Sequence, residues 1–361
     1  MVILKRFVLI LILLSFGCTN TLHYTVDQNN LGAKIEHANT VVNEYFNDQH
    51  LPGMAVSIFM GDAVIWSKGF GYADVAQKFP VDPSTTKFRI GSVSKTLTAA
   101  ALGDLYEKGI LDFDAIVQNY VPDFPVKEYP ITVRQVAGHI AGIRHFRGNE
   151  FMNTKPHSTI EECLAIFQNE PLLFKPGKYF NYSSYGWILM SAVVEGVSGK
   201  EFLGYMKQHV FDPLEMHDTV PEWSNKDIPN LTRFYEGDGY EIAPYVDNSY
   251  HWAAGGFVST TEDLVRFGAA YLNYDFQSEE TQQELMTPLT LENGESTNFG
   301  IGWITLEHNN QIWVGHAGSH KGGRTMFMIN KEHRMVIAFA INRSYVGFDD
   351  LHWKLADIFL D

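Results

Sequence analysis

Strand-forming character is confined to the two ends of this chain, and helix-forming character fills its middle. Residues 54–60 and 63–68 are rich in β-branched, aromatic and other apolar residues and meet at Gly61-Asp62, which predicts a β-hairpin that 69–72 extends. At the other end, 300–306, 311–315, 324–330 and 335–342 read as four strands, with turns at Asn309-Asn310 and 330–333. Between them, 96–108, 132–138, 159–168, 185–196, 200–211, 261–272 and 279–287 carry helical periodicity, and Pro and Gly punctuate the gaps. Amphipathic helices are predicted at 31–47 and 348–360. Strands must lie side by side, so a chain with strands at both ends has to bring those ends together. The simplest outcome is an α/β (α+β) fold: a mostly antiparallel sheet flanked by the N- and C-terminal helices, with a large helical domain inserted. The expected division is a sheet domain of 32–96 plus 290–361, and an inserted domain of 97–289.

The first 17 residues read as a signal peptide. Lys5 and Arg6 precede an apolar run at 7–14 that is too short to span a bilayer. Gly17-Cys18 then resembles a lipoprotein processing site, with a polar tether at 18–31; Ser15 and Phe16 are loose for such a site, so plain secretion is the alternative. The expectation is export to the cell envelope or periplasm with a lipid on Cys18. A net charge of −15 argues against nucleic acid and against docking to anionic lipid, leaving the lipid as the sole membrane contact. Cys163, the other cysteine, sits among Ile160, Leu164 and Phe167 at helical spacing and reads as a buried inert thiol. There is no H-E-x-x-H or C-x-x-C, no P-loop, and no Ser within G-x-S-x-G. The reading calls for no cofactor and for a small-molecule or peptide substrate. It leaves the oligomeric state open.

The chemistry points to Ser92-Val-Ser-Lys95. Here a short extended approach ends in a turn that opens the helix at 96–108. Ser92 and Lys95 stand three apart, which places both on one face of a first helical turn. A serine hydroxyl becomes a nucleophile when a neighbour takes its proton, and a desolvated lysine can do so. The helix N-terminus suits an anionic intermediate. Short motifs recur by chance, and Ser84-Thr-Thr-Lys87 has the same spacing, but Ser84 follows Pro83 and reads as a turn residue. The bland reading of Ser92 is an N-cap serine beside a solvated lysine.

Two later stretches supply company: 175–187, containing Tyr182-Ser-Ser184, and 313–320, containing His316-Ala-Gly318 and read as a strand ending in a Gly-bearing turn. In order and spacing the three motifs resemble the serine β-lactamase-like family, which includes class C β-lactamases, D-alanyl-D-alanine carboxypeptidases, D-aminopeptidases and esterases. The connecting phrases 88–95, 131–135, 213–216 and 255–260 are similar too. The stretches 244–250 and 252–256 look especially like the mitochondrial-type, peptidase-like branch. The likeness runs from about Ile35 to Asn342.

The resemblance implies that Ser92 is acylated and that Lys95 hydrogen-bonds it and shares its proton. It implies that Tyr182 acts as a phenolate-like base and then as proton donor. An ordinary tyrosine is too weak an acid for this, so Lys95 and His316 are expected to supply lowering positive charge. The oxyanion hole would be the backbone N–H groups of Ser92 and Ser319, and Ser184, Ala317 and Gly318 would border the substrate. Two departures stand out. The second motif often ends in Asn, and here it ends in the shorter Ser184. The third has His316 where β-lactamases place Lys. Both weaken a β-lactamase reading and leave acyl transfer intact. The expected activity is therefore a serine hydrolase, with a peptidase preferred and a carboxylesterase or weak β-lactamase as runners-up. An idle binder of cell-wall peptides is the alternative of another class. Tyr185 is the nearest rival to Tyr182. His139 and His145, flanking Gly142, read as loop-structuring residues, and His320, Lys321 and Arg324 as surface beside the third motif.

Overall fold

The computed structural model describes residues 28–361. The predicted signal peptide, Cys18 and the tether through residue 27 lie outside the described residues. The last part of the predicted tether is helical: α1 spans Gln28–Asp48. It leads into β1 (Gly53–Met60), β2 (Ala63–Asp74) and β3 (Phe79–Pro80). A short β4 (Phe88–Arg89) and a 3₁₀ turn (Gly91–Val93) then deliver the chain to α2 (Ser94–Glu107).

The middle holds α3 (Val133–Ala137), α4 (Ile160–Leu164), α5 (Ser184–Ser198) and α6 (Phe202–Met206). Three two-residue strands follow, β5 (Val220–Pro221), β6 (Tyr235–Glu236) and β7 (Glu241–Ile242). Next come α7 (Trp252–Gly255), β8 (Phe257–Ser259), α8 (Thr261–Asn273) and α9 (Glu279–Met286). The end of the chain forms β9 (Ile304–His308), β10 (Gln311–His320), β11 (Gly323–Asn330), β12 (Met335–Ile341) and α10 (Leu351–Leu360).

The main sheet is antiparallel, in the order β3-β2-β1-β12-β11-β10-β9. Its join is β1 to β12, running from Met54 opposite Ile341 to Met60 opposite Met335. Both strands are buried along their whole length, because each face is covered. This is why they read as continuous apolar runs rather than alternating ones. From β12, Met335, Ile337, Phe339 and Ile341 pack with α1 and α10 on one face. Val336 and Ala338 point to the other face, where α8 lies with Leu264, Val265 and Phe267. Each such large side chain taken out of water contributes about 1.5–3 kcal/mol. The same core continues through α2 and α5, so the sheet and the helical region share one apolar interior.

Three local features depart from the pattern reading. The segment 159–168 is helical only as α4, and 200–211 is α6 followed by a wider turn at Lys207–Phe211. More consequentially, β10 runs on to His320, so His316-Ala-Gly318 sits inside a strand and the turn falls at Lys321-Gly322. Gly318 is there for packing, not for turning. A Cβ on it would lie 1.9 Å from the Ile90 carbonyl oxygen.

Candidate active site

The nucleophile's turn is shaped by that close approach. Gly91 has a φ of +50°, and a Cβ there would sit 2.7 Å from Ser319 N and 2.8 Å from Ser319 O. Glycine at both 91 and 318 lets the turn before α2 touch the edge of β10. Ser319 therefore directs its backbone polar groups at the turn that carries Ser92.

Ser92 is half-buried on the 3₁₀ turn, and Lys95 is wholly buried one turn on. Lys95 Nζ lies 3.2 Å from Ser92 Oγ and donates to the Ala254 carbonyl at 2.6 Å. It also sits 4.9 Å from the centre of the Tyr182 ring. No carboxylate pairs with it among the described residues. Burial without a counter-charge pushes its pKa well below the lysine range, which eases the loss of its proton. The Ala254 acceptor comes from α7, whose Ala253 carbonyl also binds Thr98 Oγ1 at 3.0 Å. The phrase 252–256 figured in the sequence only as a likeness; its role is to fix α7 against α2.

Tyr182 completes the cluster, its hydroxyl donating to Ser92 Oγ at 2.8 Å. It stands just before α5, whose N-cap is Ser183. The loop 139–145 laces this arm in place. Asn181 N donates to His139 O at 2.8 Å and Asn181 Nδ2 to Ile143 O at 3.2 Å. Ser183 N donates to His139 Nδ1 at 3.0 Å, and Ser183 Oγ to Arg144 O at 2.6 Å. Ser184 N donates to His145 Nδ1 at 3.1 Å. The His139 ring lies against Tyr182, centroids 4.4 Å apart, and His139 takes a left-handed φ of +64° to reach it. Tyr185, the rival base, is fully buried and stacks on Phe167 instead.

The expected lowering of the Tyr182 pKa by Lys95 and His316 is not seen. Burial raises the Tyr182 pKa, with the Ser92 hydrogen bond opposing. His316 is buried on β10, its ring centroid 6.2 Å from that of Tyr182. Its Nδ1–H donates to Ala317 O at 2.7 Å, which leaves Nε2 as a buried acceptor with no partner among the described residues. Burial first, then Lys95, hold its pKa down to about 3, so it is neutral. An imidazolium is stabilised by a neighbouring carboxylate, and none pairs with His316 among the described residues. Around the Ser92 hydroxyl stand a phenol, a neutral imidazole and a lysine whose hold on its proton is loosened by burial.

The wall beyond is also imidazole-rich. Asn248 Nδ2 donates to Glu222 Oε2 at 2.7 Å, so its Oδ1 must accept, and His251 Nε2 is 3.0 Å away. His251 Nε2 is also 3.3 Å from His320 Nε2. His320 is thus buried, not the surface residue expected, because β10 carries it inward on the face that holds His316. Of the residues expected to border substrate, Gly318 and Ser184 are buried and Ala317 is half-buried, while Ser319 is exposed. Sequence reasoning assigned no role at the site to Ala254 or to the His251–His320 pair, and read His145 as loop-structuring, which its hydrogen bond with Ser184 N agrees with.

A hydroxyl, a buried lysine and a phenol meeting where a helical layer joins an antiparallel sheet form an arrangement suited to serine acyl transfer. A family model described as Beta-lactamase matches residues 36–360, and the chain belongs to that family of serine hydrolases. It is similar to the human serine beta-lactamase-like protein LACTB, mitochondrial, at 35% identity over 67% of this chain and 57% of that protein. The chain thus corresponds to little more than half the length of that relative. It is also 26% identical to penicillin-binding protein 4* of Bacillus subtilis, over 86% of this chain and 72% of the relative. The structure of the octameric penicillin-binding protein homologue from Pyrococcus abyssi superposes with a TM-score of 0.80 at 26% identity, covering 90% of this chain and 77% of that one.

Proposed function

We propose that the chain is a peptidase-type hydrolase that cleaves amides or esters through an acyl-enzyme on Ser92. The observation that carries this is the convergence of Lys95 Nζ and Tyr182 Oη on one hydroxyl, at 3.2 and 2.8 Å. The Lys95 amine takes the Ser92 proton as Oγ bonds to the substrate carbonyl carbon. The backbone N–H groups of Ser92 and Ser319 receive the oxyanion; each such donor is worth roughly 100-fold or more. As the carbonyl re-forms, the bond to the leaving group breaks, and Tyr182 protonates the departing nitrogen or oxygen. The Lys95 ammonium restores the tyrosine proton. Water then repeats the sequence on the ester, and Ser92 recovers its proton. The neutral His316 supplies an acceptor in the pocket, not a charge.

Labelling with a fluorophosphonate, located by mass spectrometry, tests the reading. An adduct on Ser92 that disappears in Ser92→Ala supports it, and a folded protein that takes no label overturns it. Peptide amides, p-nitrophenyl esters and nitrocefin, compared side by side, rank the subclasses. The leader and Gly17-Cys18 support export with a lipid anchor as part of the proposal. Cys18→Ser should then release the protein from membranes, and unchanged fractionation removes the anchor.

A further inference from the structure

The end of β10 carries Ser319, yet a strand supports it from one side alone. β9 pairs with β10 as far as Gly315, and from His316 onward β11 is the strand beside it. Gly91 and Gly318 let the turn before α2 come close to this segment, but a glycine contact limits approach without fixing a direction. A directional tie comes from the next residue. His320 is buried, and its Nε2 lies 3.3 Å from Nε2 of His251, which stands at the N-terminal boundary of α7.

Proton bookkeeping gives this contact a sense. Asn248 Nδ2 is spent on Glu222, so Asn248 Oδ1 accepts and the His251 proton sits on Nε2. That N–H lies between two acceptors, Asn248 Oδ1 at 3.0 Å and His320 Nε2 at 3.3 Å. Hydrogens on both facing nitrogens would collide, so His320 Nε2 presents its lone pair. Tyr250 stacks on the His251 ring at 4.3 Å, and Phe151 lies against His320 at 5.1 Å, which packs both rings in place. α7 therefore reaches two parts of the reaction centre. Its Ala254 carbonyl receives Lys95 Nζ, and the His251 ring at its start holds the strand end beside Ser319.

We infer that His251 and His320 are positioning residues, whose ring-to-ring hydrogen bond sets where the Ser319 N–H stands relative to Ser92 and so tunes the oxyanion hole. The inference rests on the hydrolase reading and goes beyond it. Both residues act through the backbone of β10, and a small misplacement of such a donor is costly, because its value depends on meeting the oxyanion at hydrogen-bond distance.

The test compares p-nitrophenyl acetate with its thionoester, in which C=S replaces C=O. Sulfur accepts hydrogen bonds poorly, so the ratio of the two kcat/KM values, oxygen over sulfur, reports the oxyanion donors. A change that only loosens the core slows both substrates alike. His251→Phe keeps a ring without an N–H and should lower the ratio roughly tenfold, part of the roughly 100-fold that one donor is worth. His251→Gln still offers an N–H and should keep at least about a third of the wild-type ratio. Should His251→Phe not fold, His320→Phe breaks the same bond from the strand side and takes its place. An unchanged ratio overturns the proposal, whatever the absolute rates. A glutamine ratio as low as that of phenylalanine also overturns it, because the hydrogen bond would then not be what matters. If the wild type takes no label on Ser92, or shows no preference for oxygen, the hydrolase reading itself fails first; if it labels and prefers oxygen and the ratio does not move, only the role of the two histidines is lost.

Discussion

Two buried cationic segments lie on either side of the Ser92 turn, and they are treated in opposite ways. Before it, on and beside β4, Lys87 meets Asp218 at 2.5 Å, and Arg89 meets Glu222 through both Nε and Nη2, at 2.7 and 2.5 Å. After it, Lys95 is buried just as deeply, with a carbonyl, a hydroxyl and an aromatic ring around it and no acid. A buried cation held by carboxylates serves to join segments. A buried amine without one holds its proton less tightly and can serve as a base. Within nine residues, the presence or absence of a partner separates structure from chemistry.

The contrast can be broken most severely at Lys95. Lys95→Ala should slow fluorophosphonate labelling of Ser92 by about 10⁴-fold while the melting curve barely moves. Lys95→Arg should do no better, because a guanidinium does not release its proton. Labelling within tenfold of wild type in either variant would place the base elsewhere. On the paired side the effect should fall on the fold instead. Glu222→Gln leaves the Arg89 guanidinium buried without its counter-charge and should cost about 3 kcal/mol in urea unfolding. A cost below about 1 kcal/mol would erase the distinction between the two segments.

Tyr182→Phe removes a proton donor and leaves the laced arm intact. Acylation should drop roughly 100-fold with stability unchanged, and a pre-steady-state burst measurement would show it. The smallest effect per group concerns pH. His251 and His316 are held down to about 3 and His145 to about 4, in each case chiefly by burial. His139 and His320 are driven well below the usual range for the same reason. Below about pH 6.5 the unfolded chain binds protons that the folded chain refuses, so stability falls as the pH falls. Each such histidine should remove about 1.4 kcal/mol per pH unit, from about 6.5 down to its folded value. Urea midpoints at pH 7.5, 6 and 5 would reveal the slope, and a flat profile would mean that these rings protonate without unfolding the chain.

Much of the architecture could be read from composition along the chain. The hairpin at β1 and β2, the strands β11 and β12, and helices α2, α5, α8 and α9 all lie within a few residues of where their patterns put them. Elements defined by a neighbour rather than by their own pattern were harder to see. β10 extends past Gly315 because β11 and the Gly91 turn hold it straight, and nothing in His316-Ala-Gly318 says so locally. α7 is four residues long, too short for any periodicity, yet it supplies the Lys95 acceptor. Tyr182, His316 and Lys95 were legible as a set through their order along the chain, and their protonation was not.

That Ser92 and Lys95 share one face of a helical turn could be read from the sequence alone, because spacing within one turn is a local property of the backbone. So was the need for the chain ends to meet in one sheet, since strands without partners leave their polar groups unsatisfied. The lowered pKa of Lys95, the neutrality of His316 and the lacing of the Tyr182 arm by His139 and His145 were decided by the fold. Each depends on which groups lie within a few ångströms and on how much water is excluded, and those neighbours come from α7, β10 and the loop 139–145, far away along the chain.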